Sequence, residues 1–169
     1  KLIALEQERI NRQGGVHGRP IQLRVLDDQA DPKQTIANVR SALADPQMLA
    51  MIGITNSNRA KAVFDMLGKD IGASGIPFVS DVSVNSLFAS YANVYTTRAS
   101  QEEERVPVLA QFMKQMSFER PAFVGLKDNV FSAALGDGLK AAVGERLAGD
   151  YRLTVKDEKL DSGAVSAMI

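Results

Sequence analysis

Met48-Leu49-Ala50-Met51-Ile52-Gly53-Ile54-Thr55-Asn56-Ser57-Asn58 decides the fold. The stretch from Met48 to Ile54 is nearly all apolar, short and without polar alternation, as expected of a strand covered on both faces in a parallel sheet. Gly53 through Asn58 then forms a small polar loop, and Val63, Met66 and Leu67 follow at helical spacing, predicted to face inward. A buried strand feeding a helix through a polar loop is half of a parallel crossover unit.

The same grammar extends in both directions. Upstream, an apolar-patterned helix (Leu2, Leu5, Ile10) should close at Gly14-Gly15, where glycine accepts the left-handed conformation that ends a helix. Gly18-Arg19-Pro20 makes a turn, and a strand is predicted over Ile21 to Leu26. Asp31-Pro32-Lys33-Gln34 reads as a helix start, with an N-cap acid, proline at the first helical position and a glutamine placed to complete a capping box. Downstream, strands are predicted over Phe78 to Ser80 and Val94 to Thr97. After Arg98 the pattern restarts with a helix carrying Val108, Leu109, Phe112 and Met116, a strand Ala122 to Leu126, a helix with Leu135, Leu139, Val143 and Leu147, and a strand Tyr151 to Val155. Strands alternating with helices imply right-handed crossovers and doubly wound sheets. The first three strands are expected in one sheet and the last two in another.

Composition excludes several functions. The 169 residues are 45% hydrophobic, enough to bury a core, and Lys+Arg 20 balance Asp+Glu 20, so no net field draws nucleic acid or an anionic membrane. No run approaches the roughly 20 apolar residues of a membrane-spanning helix, so direct membrane insertion is not expected. Cys is absent and His17 is the sole histidine, which leaves no thiolate nucleophile, no Cys- or His-clustered metal site and little machinery for catalysis. Neither a cofactor nor an enzymatic activity is expected. Lys1 opens directly into a helical pattern and Ile169 stops inside an apolar run, so the sequence reads as part of a longer chain.

In open sheets of this type, ligands sit beyond the carboxyl ends of the strands. That rule selects Asp27-Asp28, Gly53 to Asn58, and Ser80 to Asn85. Thr55, Asn56, Ser57 and Asn58 set neutral hydrogen-bonding groups beside the N–H groups of a helix start, an arrangement suited to a carboxylate or other anion.

Gly14-Gly15-Val16-His17-Gly18-Arg19-Pro20 followed by Leu26-Asp27-Asp28-Gln29-Ala30-Asp31-Pro32 resembles the periplasmic binding proteins of branched-chain amino-acid ABC transporters, the type I solute-binding family. Ile52-Gly53 with Ser57, Ile76-Pro77-Phe78-Val79-Ser80 and Tyr95-Thr96-Thr97-Arg98 continue the resemblance in the same order. It implies an α/β, two-lobed fold, each lobe a doubly wound parallel sheet flanked by helices. Here residues 1–98 would form the first lobe without its opening strand, and 99–169 part of the second. The resemblance further implies a periplasmic or extracytoplasmic protein that holds an amino acid or similar small carboxylate between its lobes and delivers it to a membrane permease. On that basis the ligand-binding residues are Asn56, Ser57, Asn58, Val82, Ser83, Val84 and Phe131. Three positions depart from the family pattern. Val84 stands where a carboxylate-binding threonine is common, Phe131 takes the place of a ligand-facing tyrosine, and Ala164 replaces an aspartate.

Plainer readings stand beside these. Ser57 and Asn58 are also suited to cap the following helix, and Asp27-Asp28 to end a strand in a turn. His17 lies between glycines in a solvated turn, Phe131 fits a core as well as a ligand platform, and Arg98 reads as structural at the crossover. Glu102 to Glu104 complement a helix dipole. Two other functions remain open: a ligand-binding sensor domain of a signalling receptor, and a flavodoxin-like switch or enzyme. The switch lacks an acceptor aspartate at the end of the central strand, and no phosphate-binding glycine motif occurs.

Overall fold

The computed structural model describes residues 2–156 and 159–160. Helix α1 (Leu2–Arg12) leads through the Gly14-Gly15 turn to an extended segment, then α2 (Pro32–Leu43), β1 (Met51–Gly53), α3 (Ser57–Ser74), β2 (Phe78–Ser80) and β3 (Val94–Thr96). A π-helical turn, Gln101–Arg105, opens α4 (Val106–Gln115), followed by β4 (Ala122–Leu126), α5 (Val130–Val143) and β5 (Gly149–Leu153). A short antiparallel pair, β6 (Val155–Lys156) with β7 (Lys159–Leu160), follows.

The parallel strands separate into two sheets. β1, β2 and β3 are parallel in sequence order, and β4 pairs with β5, also in parallel. The predicted division of strands therefore holds for those that form. Among the described residues no continuous five-stranded sheet exists, as a flavodoxin-like switch would need.

One predicted strand does not form among the described residues. Ile21 to Leu26 runs without a strand partner, and Val25 is 80% exposed. Side-chain amides of α1 take the place of a neighbouring strand: Asn11 accepts from the Ile21 N–H at 2.7 Å and donates to its carbonyl at 2.8 Å, and Gln7 accepts from the Leu23 N–H at 3.0 Å. Apolar alternation describes a segment able to join a sheet, but the ladder requires a second backbone.

Helix starts follow local chemistry. Asp31 caps α2 by accepting from the Lys33 N–H, with Pro32 at the first position. Gln34 does not complete a capping box; its amide donates along the helix to Asn38 Oδ1 at 2.9 Å.

The main core lies between α2, α3 and the first sheet. Ala60, Val63, Phe64, Leu67 and Ile71 form the buried stripe of α3, and Phe64 meets the rings of Phe78, Phe88 and Tyr91 at 5.5–5.9 Å between centroids. Met66, predicted inward, is 62% exposed. At about 100° per residue it points well away from the stripe set by Ala60, Phe64, Leu67 and Ile71, whereas Val63 flanks that stripe. Tyr91 lies across α3 where Gly68 has no side chain, and a Cβ there would overlap the tyrosine hydroxyl. The second sheet has a smaller core, Val106, Phe123 and Leu139 with Leu109, Met113, Leu135 and Leu147 against it. Of the apolar residues expected on this helix, Leu109 packs against the second core, whereas Val108, Phe112 and Met116, the last just past the end of α4, are exposed, because Val106, Leu109 and Met113 define the packed face.

Candidate functional site

The parallel register aligns Gly53, Ser80 and Thr96 across the first sheet. The three loops that leave these strands, 54–56, 81–84 and 97–100, therefore emerge along one edge. At that edge Asn56 caps α3, its side-chain oxygen accepting from the N–H groups of Asn58 and Arg59 at 3.0 and 3.1 Å. The cap is thus Asn56, and neither Ser57 nor Asn58. Two of the N–H groups expected to be free are engaged, and Ala60 N–H bonds the Asn56 carbonyl. Ser57, buried, begins the helix, and neither its N–H nor its hydroxyl has a hydrogen-bond partner among the described residues.

The backbone ahead of Ser57 is strained. Gly53 has φ +151° and Ile54 φ +57°, the latter in the left-handed region, which β-branched residues rarely occupy. The Ile54 carbonyl is held from the adjacent strand end by Ser80 Oγ at 3.0 Å and the Asp81 N–H at 3.3 Å. Ser80 is 1% exposed. Its polar side chain lay inside a segment the sequence singles out, but its positioning role became visible only with the register.

In the second loop, Val82 and Val84 send their side chains into the main core, so only their backbone remains to face a ligand; Thr96 Oγ1 donates to the Val82 carbonyl. Ser83 is buried and its hydroxyl is unpartnered, while its carbonyl accepts from the Gln101 N–H at 2.8 Å. Gln101 is wholly buried; its Nε2 donates to the Phe131 carbonyl at 3.4 Å and its Oε1 is unpartnered. Nothing in the acid-rich run Gln101 to Glu104 marks this glutamine as buried, and the sequence reading passes over it. Glu102, read with Glu103 and Glu104 as complementing a helix dipole, accepts from Ser86 Oγ at 3.0 Å and Ser100 Oγ at 3.2 Å.

Arg98 is structural. Its guanidinium donates to both carboxylate oxygens of Asp81 at 2.8 and 2.9 Å, and Thr97 Oγ1 adds a bond at 2.9 Å. The Arg98 guanidinium, and next the Thr97 hydroxyl, hold the Asp81 carboxyl below the usual carboxylate range. The pair ties the second loop to the third.

The remaining candidates come from the second sheet or lie apart. Phe131, in the first turn of α5, is half-buried with the Arg105 guanidinium 5.7 Å from its ring centroid. Asn58 turns to the same region: its Nδ2 donates to the Asp128 carbonyl at 2.9 Å and its Oδ1 accepts from the Val130 N–H at 2.8 Å. Asp27 and Asp28 accept from the N–H groups of Gln29 and Ala30 in a turn, and Asp28 also meets Thr35 Oγ1 at 3.0 Å and Arg59 Nε at 3.4 Å. His17 lies exposed in its own turn. Ala164 lies outside the described residues. A groove of about 740 Å³ between α4 and α5, lined among others by Gln111, Lys114 and Arg146, includes none of the strand-end loops.

Two parallel sheets that bring neutral polar loops and the amino ends of α3 and α5 to one junction define a class, the open α/β proteins, in which the strand-end loops are where ligands sit. The chain belongs to the periplasmic binding protein family, whose family model matches residues 4–156. This is a family of solute-binding proteins of transporters and not of enzymes. Comparison with curated protein sequences gives no match. Among solved structures, the chain is similar to an ABC transporter substrate-binding protein from Desulfitobacterium hafniense at 19% identity and TM-score 0.75, covering 98% of this chain and 47% of that one. It is similar to the branched-chain amino acid transporter substrate-binding protein of Streptococcus pneumoniae in complex with isoleucine, at 13% identity and TM-score 0.77 over 98% and 46%. A fatty acid ABC transporter substrate-binding protein from Thermomonospora curvata gives 18% and 0.75 over 98% and 41%. The chain thus spans less than half the length of these structures.

Proposed function

We propose that the protein of which this chain forms part is the extracytoplasmic substrate-binding component of an ABC transporter. It holds an amino acid or similar small carboxylate between two lobes, the first comprising residues 1–98 and the second beginning at 99, and passes it to a membrane permease. One observation carries the reading: Asn56 caps α3 and leaves Ser57 without a hydrogen-bond partner among the described residues, and the Ser83 hydroxyl, on the loop after the adjacent parallel strand, is also unpartnered. The Ser57 N–H and hydroxyl are donors without acceptors at the positive end of an 18-residue helix. The similar structures named for isoleucine and for fatty acid share a carboxylate on an apolar tail as ligand chemistry. Val84 in place of a hydroxyl donor leaves Ser57, Ser83 and backbone N–H groups to receive the carboxylate, with Phe131 over the tail.

A charge-assisted hydrogen bond of this kind contributes about 1.5–3 kcal/mol, so Ser57→Ala should weaken binding about tenfold or more. Calorimetry on the full-length protein, with leucine or isoleucine against the corresponding amide, tests this. Binding of the acid in preference to the amide, reduced by Ser57→Ala, is expected. A Ser57→Ala protein that melts lower yet binds the acid with unchanged affinity would make the serine purely structural.

A further inference from the structure

We infer that Asn58 is a positioning residue that latches the two walls of the ligand cleft in the closed state, an inference that rests on the binding role proposed above. Both ends of its side-chain amide are committed to backbone of the opposite wall, the Asp128 carbonyl and the Val130 N–H, which flank the α5 cap residue Asn129. Among the described residues these are the sole side-chain hydrogen bonds between residues 2–98 and residues 122–156. Elsewhere the junction is held near the crossover, where the Ser83 carbonyl accepts from the Gln101 N–H and Glu102 accepts from the Asn85 N–H and Ser86 Oγ, while Val130 and Ala134 touch the main core and Gln101 Nε2 reaches the Phe131 carbonyl. Junctions between domains of one chain open readily as a rule, so two specific hydrogen bonds outside the crossover weigh in this equilibrium.

Helix geometry separates the work of neighbouring residues. Ser57 and Asn58 diverge by about 100° around the α3 axis, so one side chain can serve the ligand while the next reaches across. Phe131 directly follows Val130, and fixing the Val130 N–H brings that ring to the cleft. Opening would break both Asn58 bonds and withdraw Phe131 together with the wall. A latch of this kind stabilises every ligand's closed complex by the same factor and slows release, because closure follows encounter and makes no distinction among ligands once the cleft is shut.

Two variants attack the latch from opposite sides. Asn58→Ala removes both bonds without touching the α3 cap, which Asn56 supplies. Val130→Pro deletes the N–H that Asn58 Oδ1 accepts, and proline suits the first position of a helix, with Asn129 already extended at φ −118°, ψ 115°. In the full-length protein, spin labels at Lys69→Cys and Lys114→Cys report the distance between the walls. The expected results are longer distances in the ligand-free protein for both variants and ligand affinity about tenfold weaker for Asn58→Ala and about threefold weaker for Val130→Pro. The loss should come mainly from faster release, equal for acid and amide, and Val130→Pro should add nothing to Asn58→Ala. Unchanged distances, fully additive losses, or a loss confined to the acid would overturn the latch, the last making Asn58 a ligand contact. If the protein binds no amino acid, the ligand-free distances still decide the latch, whereas failure of Ser57→Ala to affect acid binding strikes only the proposed ligand.

Discussion

Ser80→Ala removes one hydroxyl from a site that is 1% exposed, and its consequence is worked from the Ile54 backbone. A non-glycine residue in the left-handed region costs roughly 1–2 kcal/mol. Two hydrogen bonds to the Ile54 carbonyl, from Ser80 Oγ at 3.0 Å and the Asp81 N–H at 3.3 Å, oppose that cost, each contributing about 1 kcal/mol net. With both present the balance holds. With only the longer bond left, the strain wins, and the loop that carries Asn56 and Ser57 relaxes. Ser80→Ala should therefore lower stability by about 1 kcal/mol, a shift of about 2–4 °C in Tm for a protein of this size or somewhat larger, and weaken ligand binding as well. Ile54→Gly supplies the decisive control, since glycine takes a positive φ without penalty. In the Ile54→Gly background the same Ser80→Ala substitution should leave the loop in place, so its effect on affinity should largely vanish. Calorimetry for affinity and urea unfolding for stability, on the four proteins of the cycle, measure both. Equal affinity losses from Ser80→Ala in the two backgrounds would refute the account of strain held by Ser80.

Phe64→Ala should destabilise by about 3–5 kcal/mol, because the ring is buried and meets three other aromatic rings; urea unfolding that shifts by less than about 1 kcal/mol would show that α3 is held to the sheet by other contacts. The folded Asp81 carboxyl lies below its ordinary value of 3.8 through Arg98 and Thr97, so its contribution to stability is complete above that value and is lost as the pH falls through the lower folded value. Asp81→Asn should flatten the acid limb of the stability–pH curve below the ordinary carboxyl value of 3.8. An unchanged limb would mean that the exposed pair is too well screened to matter.

Local chemistry was legible in the residues themselves. Asp31-Pro32 starts α2 and Gly14-Gly15 ends α1 because caps and left-handed turns are short-range properties of particular side chains. The strands Phe78–Ser80 and Ala122–Leu126 coincide with the predicted runs, and the predicted Tyr151–Val155 strand lies two residues earlier, at Gly149–Leu153. Which strands share a sheet followed from the family resemblance, with its lobe crossover after Thr97; strand–helix alternation alone does not decide it, since α3 joins two strands of one sheet whereas α4 joins β3 and β4 of different sheets.

Contact across distance was decided only by the tertiary structure. Ile21 to Leu26 has the pattern of a strand, yet pairing requires a second backbone that no local pattern supplies. On α4 the expected set Val108, Leu109, Phe112, Met116 and the packed set Val106, Leu109, Met113 share only Leu109, and packing against Phe123 and Leu139 selects the second. The loop polarity of Asn56, Ser57 and Asn58 pointed to the right place, but three similar side chains in succession do not declare their partners. Asn56 turns back to its own helix, Asn58 reaches residues 70 and 72 positions away, and Ser57 is left between them without a partner. Hydrogen bonds are satisfied by whatever lies within about 3 Å, and that neighbourhood exists only once the two sheets have come together.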